Sequence, residues 1–349
     1  MSKRKFCAHR GFNAVAPENT LPAFAAAVAL GADEIEFDLW PTADGQLAVC
    51  HDPSVDRTTD GKGTICDMTW EQMKNLDAGK KFHSEYEGVR IPLFEEVLRQ
   101  FAGKVVMNIH IKSIGASVLK NRIMEGRGQE LMEIYTENKP LPMPLREPEP
   151  MVLKDLEDRE IPAYDENTFQ KILQLLDKYQ CRDMVYITGE KDVLETALKM
   201  APDIKRCCLE GHMNYSIVEN AIRYQCSRVQ FCKLFLTRSM IDKAHAKGMI
   251  CNLFWSDDAE EAKAFFDMGI DVILTNHFLK TSGIDSIGKV QILILSRPEE
   301  DGKINRSANI LAGKRNLLCG LMKVYFIRFI PLALLEHPLK MTGWRHIGF

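Results

Sequence analysis

The feature that most constrains the fold is a repeated alternation of short β-branched runs with longer runs of helical periodicity. Alternating units of this kind imply a parallel sheet, because parallel neighbours need a long crossover connection. Eight such units favour a closed (β/α)8 TIM barrel over an open doubly wound sheet. The first strand is not followed by a glycine-rich dinucleotide-binding motif, which also disfavours the open sheet. The eight predicted strands are KFCAHRG, EIEFDLW, KVVMNIHIK, MVYITG, IKRCCLEG, RVQFCKLF, MICNLFW and VILTN.

Two segments inside the repeat are longer than a barrel needs. We expect the barrel over residues 4–283, with an insertion at about 53–95 after the second strand and a longer loop at 113–165 after the third. Asp44-Gly45, just before the first insertion, predicts a tight hairpin turn. Long connections of a barrel often carry binding or catalytic groups.

Residues 284–349 form a predicted C-terminal extension of unknown role. Its apolar run LLCGLMKVYFIRFIPLALL is interrupted by Lys323, Arg328 and Pro331, so we do not expect a spanning helix, which needs about 20 mostly uncharged residues. Three interpretations stay open: an appended helix over an apolar patch, an interfacial membrane anchor, and a poorly folded appendage.

Charge and cysteine usage narrow the partners and the compartment. The 45 basic and 48 acidic residues leave a net charge of -3, which argues against a nucleic acid partner. The ten cysteines include no C-x-x-C pair, so we expect reduced, buried thiols rather than a structural zinc site. The N-terminal MSKRKFCAHRG has no apolar core of a secretory signal. We therefore expect a cytoplasmic location.

A TIM barrel places its chemistry where the strands end, and two acids stand there on the second predicted strand. Glu36 and Asp38 are two residues apart, so both side chains point to the barrel interior while their apolar neighbours face the helices. Two close carboxylates repel each other unless a cation or a proton lies between them. A divalent cation with oxygen ligands, Mg²⁺ or Ca²⁺, would satisfy the pair. The alternative is structural salt bridges to interior Arg or Lys.

Histidines and cations stand at other strand ends. His9 and His51 are candidates for general acid and base. Arg10 and Lys112 supply positive charge for an anionic substrate, and an arginine fork suits a phosphate group. Metal, two histidines and cationic groups together indicate phosphoryl-transfer chemistry on an ester of a small molecule. Trp255 is predicted to line the pocket wall or to pack in the core.

The same residues also carry a family resemblance. AHRGFNAVAPENTLPAF and EIEFDLWPTADGQLAVCHDPSVDRTTDGKG resemble two long signatures of the glycerophosphodiester phosphodiesterase family. NIHIK, IPLFEEVL and WSDDAEEAKAFFDMGIDVILTN resemble its later motifs. The resemblance covers about residues 4–280 and implies a metal-dependent TIM-barrel enzyme that hydrolyses glycerophosphodiesters to sn-glycerol 3-phosphate and an alcohol. It implies acid/base roles for His9 and His51, phosphate binding by Arg10, metal ligation by Glu36 and Asp38, and a supporting role for Glu18. Lys112 matches the lysine that follows the family's metal-binding glutamate on the third strand.

The chain departs from the family pattern at His110, where glutamate is usual. An imidazole ligand would move the metal preference from Mg²⁺ or Ca²⁺ toward Mn²⁺ or Zn²⁺, or His110 leaves a coordination place to water. Asn276 stands where aspartate is usual, and we expect little consequence. Two alternative functions stay open: a phospholipase-D-like enzyme on lysophospholipids or sphingolipids, and a catalytically weakened binding barrel. The oligomeric state is not predicted.

Overall fold

Eight parallel strands close into a barrel in the computed structural model, which describes residues 4–113, 162–213 and 215–282. The order along the sheet is β1-β9-β8-β7-β6-β5-β4-β2, and pairing of β1 with β2 closes the ring. β3 adds to β2 as an antiparallel strand. The predicted TIM barrel is therefore confirmed. The strands are β1 (Lys5–Ala8), β2 (Glu34–Pro41), β3 (Leu47–Val49), β4 (Val106–Ile111), β5 (Val185–Gly189), β6 (Arg206–Cys208), β7 (Arg228–Cys232), β8 (Ile250–Phe254) and β9 (Val272–Thr275).

Helices follow most of the strands and cover the outside of the barrel. No helix within the described ranges has both the length and the apolar character needed to cross a membrane. The helices are α1 (Leu21–Ala29), α2 (Trp70–Met73), α3 (Phe94–Phe101), α4 (Glu166–Lys178), α5 (Lys191–Met200), α6 (Ile217–Arg223), α7 (Arg238–Ala246), α8 (Ala259–Met268) and α9 (Phe278–Thr281).

The outer face of β2 anchors the barrel to its helices. Ile35, Phe37 and Leu39 are fully buried there, and Phe37 packs against Phe24 of α1 and Phe94 of α3 with ring centroids 5.6 and 6.0 Å apart. Each such side chain contributes about 1.5–3 kcal/mol through removal from water. Because side chains alternate along a strand, this packing also directs the acids between them into the barrel.

The insertion after β2 folds onto the barrel through its own apolar cluster. The predicted Asp44-Gly45 turn joins β2 to β3, with Gly45 at φ 72°. Beyond β3, apolar residues of the predicted 53–95 insertion pack around Trp40, among them Val55, Ile65 and Met73. Most of the predicted 113–165 loop, at 114–161, lies outside the described residues, as does the 284–349 extension.

Gly11 follows β1 in a turn that only glycine fits. Its φ is 79°, and a Cβ there would lie 2.7 Å from the carbonyl carbon of Ala23 at the start of α1. Gly31, at the end of α1, has φ 83° but meets nothing within 4 Å. The two sites therefore share the backbone conformation and differ in steric contact.

We predict that Gly11→Ala lowers the free energy of unfolding by about 2 kcal/mol more than Gly31→Ala. Both variants force alanine into the left-handed region, at about 1–2 kcal/mol, but only Gly11→Ala also overpacks a backbone contact. Urea unfolding followed by circular dichroism measures both. Equal losses would contradict the steric argument, because they would show that α1 shifts at Ala23 and accommodates the added methyl group without cost.

Candidate active site

Two buried carboxylates of β2 form the centre of the site. The side chains of Glu36 and Asp38 are 2% and 1% exposed. The Arg10 backbone amide donates to Glu36 Oε2 at 2.9 Å, and Asn19 Nδ2 donates to Asp38 Oδ2 at 2.8 Å. Burial and the adjacent Asp38 raise the pKa of Glu36 to about 8. Burial opposes ionisation of Asp38 too, but Lys112, His51 and His110 outweigh it and hold its pKa well below its usual range. Without a cation, the pair thus favours a single negative charge.

Nitrogen-bearing side chains at the ends of β4 and β1 surround Asp38. Lys112 Nζ and His110 Nδ1 lie 3.0 and 3.2 Å from Asp38 Oδ1, and Arg10 Nε lies 3.9 Å from Asp38 Oδ2. The β2–β4 register places Asp38 beside His110. The salt bridges considered from the sequence are therefore present at this acid.

The same neighbourhood also offers a donor set for a metal ion. Glu36, Asp38 and His110 each present one ligand atom, and these atoms lie within 4.8 Å of one another. Two carboxylates and one imidazole fit a divalent cation. A cation is compatible with the ion pair between Lys112 and Asp38, because each carboxylate has two oxygens.

His9 follows β1 and is oriented by a residue that follows the neighbouring strand β9. Its Nδ1 lies 2.8 Å from Asn276 Oδ1, and its Nε2 lies 4.0 Å from Glu36 Oε2. Asn276 Nδ2 donates to Asp257 at 2.8 Å, so its Oδ1 is the acceptor and His9 Nδ1 carries the hydrogen. Burial, then Arg10, lower the pKa of His9 to about 4. The sequence analysis gave Asn276 little consequence, whereas the structure places it against a candidate catalytic histidine.

His51 lies beyond β3 and is oriented by its neighbour in sequence. Its Nδ1 lies 2.7 Å from Asp52 Oδ1, and Trp40 Nε1 donates to the His51 carbonyl at 3.2 Å. Burial, followed by Arg10 and Lys112, lowers the pKa of His51 to about 3. At neutral pH both histidines are therefore neutral, with Nδ1 occupied and Nε2 left for chemistry.

Glu18 and Arg57 form a clamp that joins the two histidine segments. Arg10 Nη1 donates to Glu18 at 3.0 Å, and Arg57 donates to Glu18 at 2.7 and 2.9 Å and to Asp52 at 2.6 and 3.2 Å. Glu18 is thus in the supporting position predicted for it. Arg57 was missed by the sequence analysis; it lies in DRTTDGKG, which was included in the resemblance only as part of a signature.

Trp255 and Glu190 stand at two further strand ends. The Trp255 ring stacks near His9, with centroids 6.3 Å apart and planes at 23°, and it also packs against the buried cluster of Cys7, Val272 and Leu274. It therefore lies both beside the site and against the core. Glu190 directly follows β5, and its Oε2 lies 4.0 Å from His110 Nε2. Burial raises the pKa of Glu190 to about 7. Glu190 is not among the residues predicted from the sequence, although its position directly after ITG, at a strand end, could have indicated a site residue.

Comparison with known proteins agrees with this geometry. Residues 9–140 match the model of the Glycerophosphoryl diester phosphodiesterase family. The predicted family resemblance is confirmed. The matched range contains the candidate histidines, the carboxylate pair and His110, whereas Glu190 and Asn276 lie beyond it.

Curated relatives align with about a third of the chain. The chain is 50% identical over 107 residues to a glycerophosphodiester phosphodiesterase of Caldanaerobacter subterraneus, an alignment that covers 30% of this chain and 44% of the relative. It is 44% identical over 126 residues to a glycerophosphodiester phosphodiesterase of Bacillus altitudinis, covering 36% of this chain and 49% of the relative. The chain thus spans less than half the length of these relatives.

Solved structures extend the likeness to the whole barrel. A phosphodiesterase of Oleispira antarctica, in complex with the product sn-glycerol-3-phosphate, superposes with a TM-score of 0.62 at 22% identity, covering 81% of this chain and 97% of that one. A glycerophosphodiester phosphodiesterase of Agrobacterium tumefaciens gives a TM-score of 0.58 at 20% identity, covering 80% and 100%. At these identities the likeness establishes the shared fold.

We predict that Glu18→Gln lowers the free energy of unfolding at pH 7, and that the difference from the wild type shrinks as the pH falls from about 5 to 3. Arg10 and Arg57 overcome the effect of burial and lower the pKa of Glu18 from 4.5 to about 2. A carboxylate whose pKa is lowered by folding stabilises the protein above its unfolded-state pKa, and this stabilisation is lost toward the folded-state pKa. We expect about 1–3 kcal/mol at pH 7. Urea unfolding of both proteins at several pH values measures it; a constant difference would contradict the ionic role.

Proposed function

We propose that the chain hydrolyses glycerophosphodiesters to sn-glycerol 3-phosphate and an alcohol with a bound divalent cation. The observation that carries this proposal is the matched orientation of His9 and His51. Each has Nδ1 against an oxygen acceptor, Asn276 for one and Asp52 for the other, which leaves Nε2 of both rings for proton transfer. The names of the relatives and the product bound to the Oleispira antarctica enzyme agree with this reaction class.

The cations of the site would bind the phosphodiester. Arg10 and Lys112 are positive groups beside the carboxylates, and a phosphate oxygen is a natural partner for each. A cation held by Glu36, Asp38 and His110 would neutralise the charge that develops on the phosphate oxygens. Trp255 would close the side of the site next to His9.

The two histidines would divide the proton transfers. One Nε2 accepts the proton of the attacking oxygen, which belongs to water or to the glycerol 2-hydroxyl of the substrate. Attack by the 2-hydroxyl gives a cyclic phosphate, which water must then open to sn-glycerol 3-phosphate. The other ring, which is neutral in the free site, first takes up a proton at Nε2 beside the bound phosphate anion and then donates it to the alkoxide that leaves when the phosphorus–oxygen bond breaks. Asp52 stabilises the charged form of His51 during this exchange, and the Glu18–Arg57 clamp holds Asp52 in place.

The donor set limits the choice of divalent cation without fixing it. The two carboxylates suit Mg²⁺ or Ca²⁺. The imidazole of His110 would extend the preference to Mn²⁺ and Zn²⁺. We propose one divalent ion per site and infer that its charge offsets the repulsion between Glu36 and Asp38.

We infer the cellular compartment of the protein from the state of its thiols. The described cysteines, from Cys7 to Cys251, are free, and all except Cys66 are buried. Free thiols in this number fit a reducing compartment, so we propose a cytoplasmic enzyme with a small-molecule substrate.

We predict hydrolysis of glycerophosphocholine by the purified chain, lost on chelation with EDTA and restored by a divalent cation. Glycerol 3-phosphate release, measured with a coupled dehydrogenase, reports the reaction. A folded protein that shows no hydrolysis of glycerophosphocholine or glycerophosphoethanolamine with Mg²⁺, Ca²⁺, Mn²⁺ or Zn²⁺ would contradict the proposal.

We predict that His9→Gln and His51→Gln each lower kcat by about 10²–10⁴-fold, the usual contribution of a positioned acid or base. His83→Gln is the matched control, because that side chain is 41% exposed in the insertion, away from the carboxylate pair. Circular dichroism establishes that the variants are folded. Wild-type kcat in either site variant would remove that histidine from the mechanism.

A further inference from the structure

His110 lies between two carboxylates that come from different strands. Its Nδ1 is 3.2 Å from Asp38 Oδ1, and its Nε2 is 4.0 Å from Glu190 Oε2. Asp38 is on β2, His110 on β4 and Glu190 directly after β5, which are adjacent strands of the barrel. Both nitrogens of one imidazole therefore face an acid.

A cation at the carboxylate pair would require a particular form of His110. Nδ1 is the nitrogen on the side of Asp38, so it is the one that a cation shared with Asp38 would use. A neutral imidazole that gives its Nδ1 lone pair to a cation carries its hydrogen on Nε2. Histidines that bind metal almost always donate this second N–H to a carboxylate, a carbonyl or water.

Glu190 Oε2 is able to accept this second N–H. The atom is buried, and within the described part of the chain it accepts no hydrogen bond. A buried carboxylate oxygen without a donor is costly and calls for a partner. The charged groups acting on Glu190 are Lys112, Glu210 and Asp192, while the ring nitrogen facing its Oε2 belongs to His110.

We propose that Glu190 is a positioning residue for the cation site: it accepts the Nε2–H of His110 and so keeps Nδ1 available to the cation. The present 4.0 Å separation is longer than a hydrogen bond, and we expect it to shorten when the site is loaded. The inference rests on the proposed function only for the presence of the divalent cation.

The test is Mn²⁺ binding to the full chain without substrate, measured by isothermal titration calorimetry. We expect Glu190→Gln to weaken binding about 10–100-fold, the usual effect of removing such a partner. Glu210→Gln is the matched control: it removes a charge close to Glu190, but this carboxylate accepts from the Lys191 amide at 3.0 Å and we expect wild-type affinity. An unchanged affinity in Glu190→Gln, or a wild type that binds no Mn²⁺, would overturn the proposal.

A double-mutant cycle separates action through His110 from direct ligation by Glu190. In a His110→Gln background, we expect Glu190→Gln to cause little further loss of Mn²⁺ affinity, because its partner is already gone. A full additional loss would overturn the positioning role and make Glu190 an independent ligand. The readout is binding, so an absence of glycerophosphodiester hydrolysis would contradict the proposed function while leaving this result intact.

Discussion

The repulsion between Glu36 and Asp38 is the constraint on which the site depends. Strand alternation sends both carboxylates into the barrel, where burial disfavours their charge. In the structure, Lys112 and His110 lie against Asp38, and the pKa of Glu36 is raised. A further positive charge near Glu36 would favour ionisation of both carboxylates. A divalent cation can supply it, or a cationic side chain of the site can do so by moving closer. The acids that organise the interior thus also define what it can bind.

The barrel could be predicted from the sequence strand by strand. All eight barrel strands were recognisable, because a buried parallel strand is a short apolar run with few competitors. Glu36 and Asp38 were placed inside by periodicity alone, with Ile35, Phe37 and Leu39 facing the helices. The family resemblance added roles for residues that spacing alone leaves open, such as Glu18.

What the sequence could not provide was the set of contacts between distant segments. Arg57 reaches Glu18 only because the insertion folds onto the barrel around Trp40. Asn276 meets His9 only because β9 pairs with β1. Neither partner follows from local spacing, since each pair is brought together by barrel closure or by packing of a long connection. Residues that act through others are therefore harder to predict than the residues they orient.

Strand pairing also links His110, where the chain departs from the family pattern, to residues on the two neighbouring strands. Parallel neighbours bring the ends of β2, β4 and β5 side by side, so a change of chemistry at His110 is felt by Asp38 on one side and Glu190 on the other. An imidazole carries no negative charge when neutral, but it has two nitrogens and can join two carboxylates. On the proposed role of Glu190, a carboxylate that follows β5 supports the cation site through the imidazole on β4. Interpretation of a substituted position in this fold therefore requires the neighbouring strand ends as well as the residue itself.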